Sequence, residues 1–209
     1  MIHAYGDSWT YGSDLNFEEE RPYVAHMGEK LGVPFSNRGK PGNSNVAIYH
    51  NFMEDLTHEK IKENDMVVFC FTETSRFTIW DELMADSTYC KYTPVLHSDT
   101  SPKWHKDLFK WTFDIDQGHY DLFTSMISLH NICKQCKIRY VFGFAFGEDY
   151  LQRTSFRSDI QKLVDYVNSL KMNRADKRFS SFVENYQYGE HSDHAGHIKY
   201  AKYLLENIG

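Results

Sequence analysis

Apolar residues along this chain fall into two rhythms that alternate with one another. Met1-Ile2-His3-Ala4-Tyr5 is a short, largely apolar start of strand length, and Met66-Val67-Val68-Phe69-Cys70-Phe71 and Ile138-Arg139-Tyr140-Val141-Phe142-Gly143-Phe144 are longer runs of the same kind. Such runs mark parallel strands covered on both faces. A further extended piece is expected at Val33-Pro34-Phe35. Between them the spacing becomes helical. Val24, Met27 and Leu31 share one face over residues 22–31, with Pro22 at a favoured first position and Gly32 as a stop. Val46, Ile48, Phe52, Met53 and Leu56 recur at helical spacing behind Asn43 or Ser44 as N-cap. Residues 120–136 read as a third helix, Leu163, Val164, Val167 and Leu170 as a fourth, and Ile198, Ala201, Tyr203, Leu204 and Leu205 as a terminal one. This alternation predicts an α/β fold: a three-layer α/β/α sandwich around a mostly parallel sheet.

One stretch follows neither rhythm. Residues 77–118 hold Trp80, Tyr89, Tyr92, Trp104, Phe109, Trp111 and Phe113 among charges, histidines and prolines. The segment reads as an irregular, aromatic-rich insertion, either a cap over a binding site or a satellite core packed on the sheet. At 209 residues the whole chain, 1–209, is expected to form one domain with one buried core.

Charge and cysteine usage narrow the function classes. Lys plus Arg total 23 against 29 for Asp plus Glu, and the net charge of −6 argues against a general nucleic-acid or anionic-membrane binder. No apolar run reaches the roughly eighteen residues needed to span a bilayer. The start of the chain enters the first strand directly, without the charged and apolar regions of a secretory leader. Cys70, Cys90, Cys133 and Cys136 suit a reducing compartment better than a disulfide framework, so a cytoplasmic location is expected, with a virion-associated one as the alternative.

The chemistry gathers in loops. Gly6-Asp7-Ser8-Trp9 follows the first strand, which places a serine outside the carboxyl end of the sheet, where open α/β folds bind ligands. Nucleophilic acyl transfer needs such a hydroxyl, a base within reach, and donors aimed at the developing oxyanion. Glu190-His191-Ser192-Asp193-His194-Ala195-Gly196-His197, just before the terminal helix, supplies three candidate bases. The turn formers from Asn37 to Asn45, Gly42 and Asn43 among them, supply a flexible N–H and an amide. His191, His194 and His197 also spell His-x-x-His-x-x-His, but steps of three along a helix turn such ligands apart, so no metal is assigned.

In this order the motifs resemble the SGNH hydrolases, the GDSL-like esterase and lipase superfamily. Tyr5-Gly6-Asp7-Ser8-Trp9-Thr10-Tyr11-Gly12 resembles the first block, Asn37 to Asn45 the second, and His191 with Gly196-His197 the last. The resemblance covers residues 1–76 and 186–209. It implies a flavodoxin-like fold with a five-stranded sheet, no cofactor and an ester substrate, and the Trp, Tyr and charged residues of the insertion favour an ester of a small molecule or carbohydrate. Ser8 is the implied nucleophile, supported by Asp7, and His191 the implied base, with His194 as the alternative. Ser8 N–H and Gly42 are the implied oxyanion donors, with Asn43 beside them. Two departures stand out. Where the family offers Gly-x-Asn-Asp after the third strand, this chain reads Phe71-Thr72-Glu73-Thr74-Ser75-Arg76, leaving Thr72, Glu73 and Thr74 as candidates to contact substrate or oxyanion. Where the family places an aspartate before the histidine, Tyr188 and Gly189 stand, so Glu190 becomes the candidate acid. The expected function is hydrolysis of small acyl esters, acetyl esters among them, by a Ser-His pair through an acyl-enzyme. The alternative is a catalytically silent carbohydrate-binding or virion-associated module on the same scaffold.

Overall fold

A computed structural model describes residues 1–80, 92–95, 103–104, 106–107, 114–145, 156–184 and 191–208. In chain order they form β1 (Ile2–Tyr5), α1 (Ser8–Tyr11), α2 (Tyr23–Leu31), β2 (Phe35–Asn37), α3 (Asn45–Thr57), β3 (Met66–Phe71), β4 (Phe77–Trp80) and β5 (Tyr92–Val95). Then come α4 (Ile115–Gln135), β6 (Arg139–Phe144), α5 (Ser158–Ser169), a 3-10 turn at Phe179–Phe182, and α6 (His194–Asn207).

The main sheet runs β2-β1-β3-β6 with every pair parallel. Successive side chains of a strand point to opposite faces, and in β3 both faces are apolar. Val67, Phe69 and Phe71 enter one core with Phe52 of α3, Leu122, Phe123 and Met126 of α4, and Ile160 and Val164 of α5. Val68 and Cys70 enter the other with Tyr23, Val24 and Met27 of α2 and Tyr200 and Leu204 of α6. Two helical layers on one parallel sheet make the three-layer sandwich that the alternating pattern predicts. All six residues of β3 are buried, as a central strand requires.

The fifth strand is a correction. Among the described residues the parallel sheet has four strands, and beyond β6 the chain makes only one bridge, Phe142 to Arg174. Phe142 N–H donates to Asn173 O at 2.9 Å and Ala175 N–H to Phe142 O at 2.8 Å, after which the chain leaves the edge for the 3-10 turn. Of residues 171–176 only Ala175 is buried, so little apolar surface holds the segment against β6. Within 77–118 the structure describes the antiparallel pair β4–β5 and the start of α4; Tyr89, Phe109, Trp111 and Phe113 lie outside the described residues. Helix α4 begins five positions before the expected residue 120, capped by the Asp114 carboxylate, which accepts from Asp116 N–H. Gly118 in its first turn looks like a helix breaker, yet a Cβ there would overlap the Thr74 carbonyl.

The end of β1 is tied to its neighbours by a buried acid. Asp55 of α3 accepts from Arg38 Nε at 2.6 Å and Nη2 at 2.8 Å, from Lys60 Nζ at 3.0 Å and from Tyr5 Oη–H at 2.9 Å. Burial would lift its carboxyl, but Lys60, Tyr5 and Arg38 more than offset that and hold it below its ordinary value. The carboxylate therefore stabilises the fold above the carboxyl's unfolded-state pKa, and that contribution fades as pH falls through the lowered folded value. Asp55→Ala, which leaves Arg38 half-stranded, is expected to lower the unfolding free energy by about 3 kcal/mol at neutral pH. Guanidinium melts at pH 7 and in acid check this, because the gap to the parent should narrow at the lower pH.

Candidate active site

The turn that carries Ser8 is shaped by what cannot fit beside it. A Cβ on Gly6 would overlap Thr10 Oγ1 and stand 3.0 Å from Cys70 O, so only glycine lets the chain pass between β3 and α1. Asp7 is extended, at φ −98° and ψ −152°, and its Oδ1 accepts from Trp9 N–H at 3.0 Å as the N-cap of α1. Ser8 is the first residue of that single turn and is 5% exposed. Gly12 closes the turn in the left-handed region, at φ 88°.

Asp7 is fully buried and its other oxygen is also engaged: Oδ2 accepts from Thr72 Oγ1–H at 2.8 Å and from Arg76 Nη1 at 3.0 Å. Burial pushes its carboxyl above the usual range, while Arg76, Thr72, Trp9 N–H and the nearby His191 oppose that rise only in part. Thr72 thus spends its hydroxyl proton on Asp7. Glu73 is half-buried and accepts from Ser75 Oγ–H at 3.3 Å, and Thr74 is buried with its carbonyl against Gly118.

The second loop lies along the first. Lys40 N–H and Asn43 Nδ2 donate to Gly6 O at 3.1 and 2.9 Å, and Asn37 Nδ2 donates to Thr10 O at 2.9 Å. Gly42 is buried and left-handed, at φ 79°. Ser44 caps α3, and Asn45, its first residue, clamps the third loop: Oδ1 accepts from Thr72 N–H at 2.9 Å and Nδ2 donates to Thr72 O at 3.1 Å. Among the described residues neither Ser8 N–H nor Gly42 N–H donates to a backbone carbonyl.

The three histidines of the last loop go to three different partners. His191 brings its ring to 6.3 Å from that of Trp9, and its Nδ1 lies 3.1 Å from Asp14 Oδ2. His194 opens α6 and faces His26 of α2, Nε2 to Nε2 at 3.1 Å. His197 is fully buried rather than at the surface as its place in the sequence indicates; its Nδ1 accepts from Tyr23 N–H at 3.0 Å. Burial first, then His26 and His194, push its pKa down to about 3, so it is a neutral core histidine. Glu190 lies outside the described residues. Among the described residues no hydrogen bond joins Ser8 Oγ to His191 or His194, and no group of three His, Cys, Asp or Glu side chains is gathered for a metal. Asp14 and Asn45 are the residues that sequence reasoning missed, since neither carries a local cue to its distant partner.

No family model and no curated protein matches the sequence. Solved structures do match it over nearly its whole length. A member of the lipolytic protein G-D-S-L family from Veillonella parvula DSM 2008 is 16% identical, covering 98% of this chain and 96% of its own with a TM-score of 0.54. Axe2, an acetylxylan esterase from Geobacillus stearothermophilus, is 14% identical over 100% of this chain and 93% of its own, with a TM-score of 0.55. LAE5, an α/β hydrolase enzyme from the metagenome of Lake Arreo, is 14% identical over 99% and 93%, with a TM-score of 0.53. The chain therefore shares the fold of these G-D-S-L family and esterase structures.

Arg76 is the cation that offsets the buried charge of Asp7. Arg76→Met is expected to cost about 3 kcal/mol of unfolding free energy at pH 7, because it leaves a buried carboxylate without its cation. Since the folded-state carboxyl titrates above its ordinary value, it takes up a proton as the medium turns acid, and the penalty should then shrink. Urea unfolding followed by circular dichroism at pH 7 and at about pH 5 measures both.

Proposed function

We propose that this protein is a serine ester hydrolase acting on small acyl groups, acetyl in particular, carried by a small molecule or carbohydrate. The observation that supports this reading is that Ser8 follows the carboxyl end of central strand β1 while the ring of His191 stands 6.3 Å from that of Trp9, the next residue of the same turn. Ser8 Oγ attacks the ester carbonyl and His191 takes the hydroxyl proton. The oxyanion falls to Ser8 N–H and Gly42 N–H, neither of which donates to a backbone carbonyl among the described residues. His191 then protonates the departing alcohol, and water, activated by the same ring, releases the acid from the acyl-enzyme.

Three features support the substrate class. Ser8 is recessed, which favours a slender acyl group. The insertion is rich in Trp and Tyr rather than in continuous aliphatics, a composition suited to sugar faces. The acetylxylan esterase that shares the fold acts on an acetylated sugar polymer, as its name states. With Thr72 and Asn43 committed to holding the loops, the site works with fewer oxyanion donors than a three-donor site, and one such donor is worth about a hundred to a thousandfold in rate.

Turnover of para-nitrophenyl acetate and decanoate, with acetylated xylooligosaccharide alongside, tests the reading. The acetyl substrates should exceed the decanoyl ester about tenfold or more in kcat/KM, the value of a pocket that rejects extra methylenes. Ser8→Ala should fall about a thousandfold or more while keeping the parent's circular dichroism spectrum. Parental turnover by Ser8→Ala would exclude Ser8 as the nucleophile, and no turnover by the parent protein would leave the silent-module reading in its place.

A further inference from the structure

We infer that Asp14, six residues beyond the nucleophile, is the carboxylate that positions His191, in place of an acid from the loop that carries the histidine. This rests on the serine-hydrolase reading above and names the part that its triad lacks. The contact itself is direct: His191 Nδ1 and Asp14 Oδ2 are 3.1 Å apart, across 177 residues of sequence. An ionised carboxylate only accepts hydrogen bonds, so Nδ1 must carry the proton in this pair. That leaves Nε2 bare, the tautomer a general base needs.

The turn that presents Asp14 is held at both ends. Gly12 and Ser13 N–H both donate to Ser8 O, at 2.9 and 3.1 Å, so the chain folds back over the turn bearing the nucleophile. Gly12 is left-handed, and a Cβ there would stand 2.7 Å from Leu15 Cδ1. Leu15 N–H donates to Gly12 O at 3.1 Å and its side chain is buried, which anchors the far side of Asp14. The other carboxylates near this histidine in space or sequence are committed elsewhere among the described residues. Asp193 Oδ1 accepts from Gly196 N–H at 2.8 Å as the cap of α6, and Asp7 holds Trp9, Thr72 and Arg76.

Asp14 is a positioning residue: it touches the base, and the base touches the reacting atoms. Its side chain is 59% exposed and that of His191 27%, so water screens the pair. Replacing a buried triad acid by its amide lowers kcat about ten-thousandfold, and a screened one is expected to lower it less, about ten- to a hundredfold.

Steady-state hydrolysis of para-nitrophenyl acetate by the full chain tests this. Asp14→Asn should lose about ten- to a hundredfold in kcat with KM within about twofold, and Asp14→Glu should recover part of the loss. Excess formate should raise the rate of Asp14→Ala by supplying the missing carboxylate, which no repair of a merely structural defect would do. Asp14→Asn turning over at the parental rate, while Ser8→Ala and His191→Ala are inactive, would overturn the assignment and leave the hydrolase reading standing. Formate rescue of Glu190→Ala but not of Asp14→Ala would overturn it too. Parental turnover by Ser8→Ala would overturn the hydrolase reading and this inference with it.

Discussion

The carboxyl edge of this sheet depends on one buried carboxylate. Asp7 has no contact with water, and an ion removed from water costs several kcal/mol unless charge and hydrogen bonds compensate it. Three donors offset part of that cost: Trp9 N–H in its own turn, and Thr72 and Arg76 beyond β3. The residue before Asp7 receives the second loop, through Lys40 and Asn43 at Gly6 O, and Asn45 closes the circuit by clamping Thr72 from α3. Ser8 follows Asp7 directly. Its position is inherited from a network in which moving any one loop would leave a buried polar group unsatisfied.

That network explains the unusual run Thr72-Glu73-Thr74-Ser75-Arg76. In the family that the motifs resemble, this stretch supplies an amide donor to the oxyanion. Here the polar side chains of Thr72 and Arg76 turn inward and support Asp7. This chain commits those polar groups to the edge of the sheet. In the proposed site, positioning of the base follows a similar shift, from the histidine's own loop to Asp14 in the turn after Ser8.

Much of this was legible in the chain itself where local physics decides. Strand β3 occupies the apolar run Met66–Phe71 from end to end, because a strand buried on both faces must be apolar at every position. Helix α2 stops at Gly32, which takes the left-handed conformation that such a stop needs. Long-range contacts decided the rest. Helix α4 starts five residues before the expected position 120 and holds Gly118, where the helix passes too close to Thr74 for a side chain. The edge segment at Asn173–Ala175 has too little buried apolar surface to extend beyond one bridge. His197 shares its spacing with His191 but faces Tyr23 in the core, and no periodicity reveals a contact between Asp14 and His191 across 177 residues.

The central claim is that the serine after Asp7 is an activated nucleophile. A fluorophosphonate forms a stable covalent bond to such a serine and leaves an unactivated hydroxyl alone. Incubating the protein with this reagent and mapping the adduct by peptide mass spectrometry tests the claim most directly. Stoichiometric modification of Ser8, lost when His191 is replaced by alanine, is the predicted result. An unmodified Ser8 in the folded protein would contradict it.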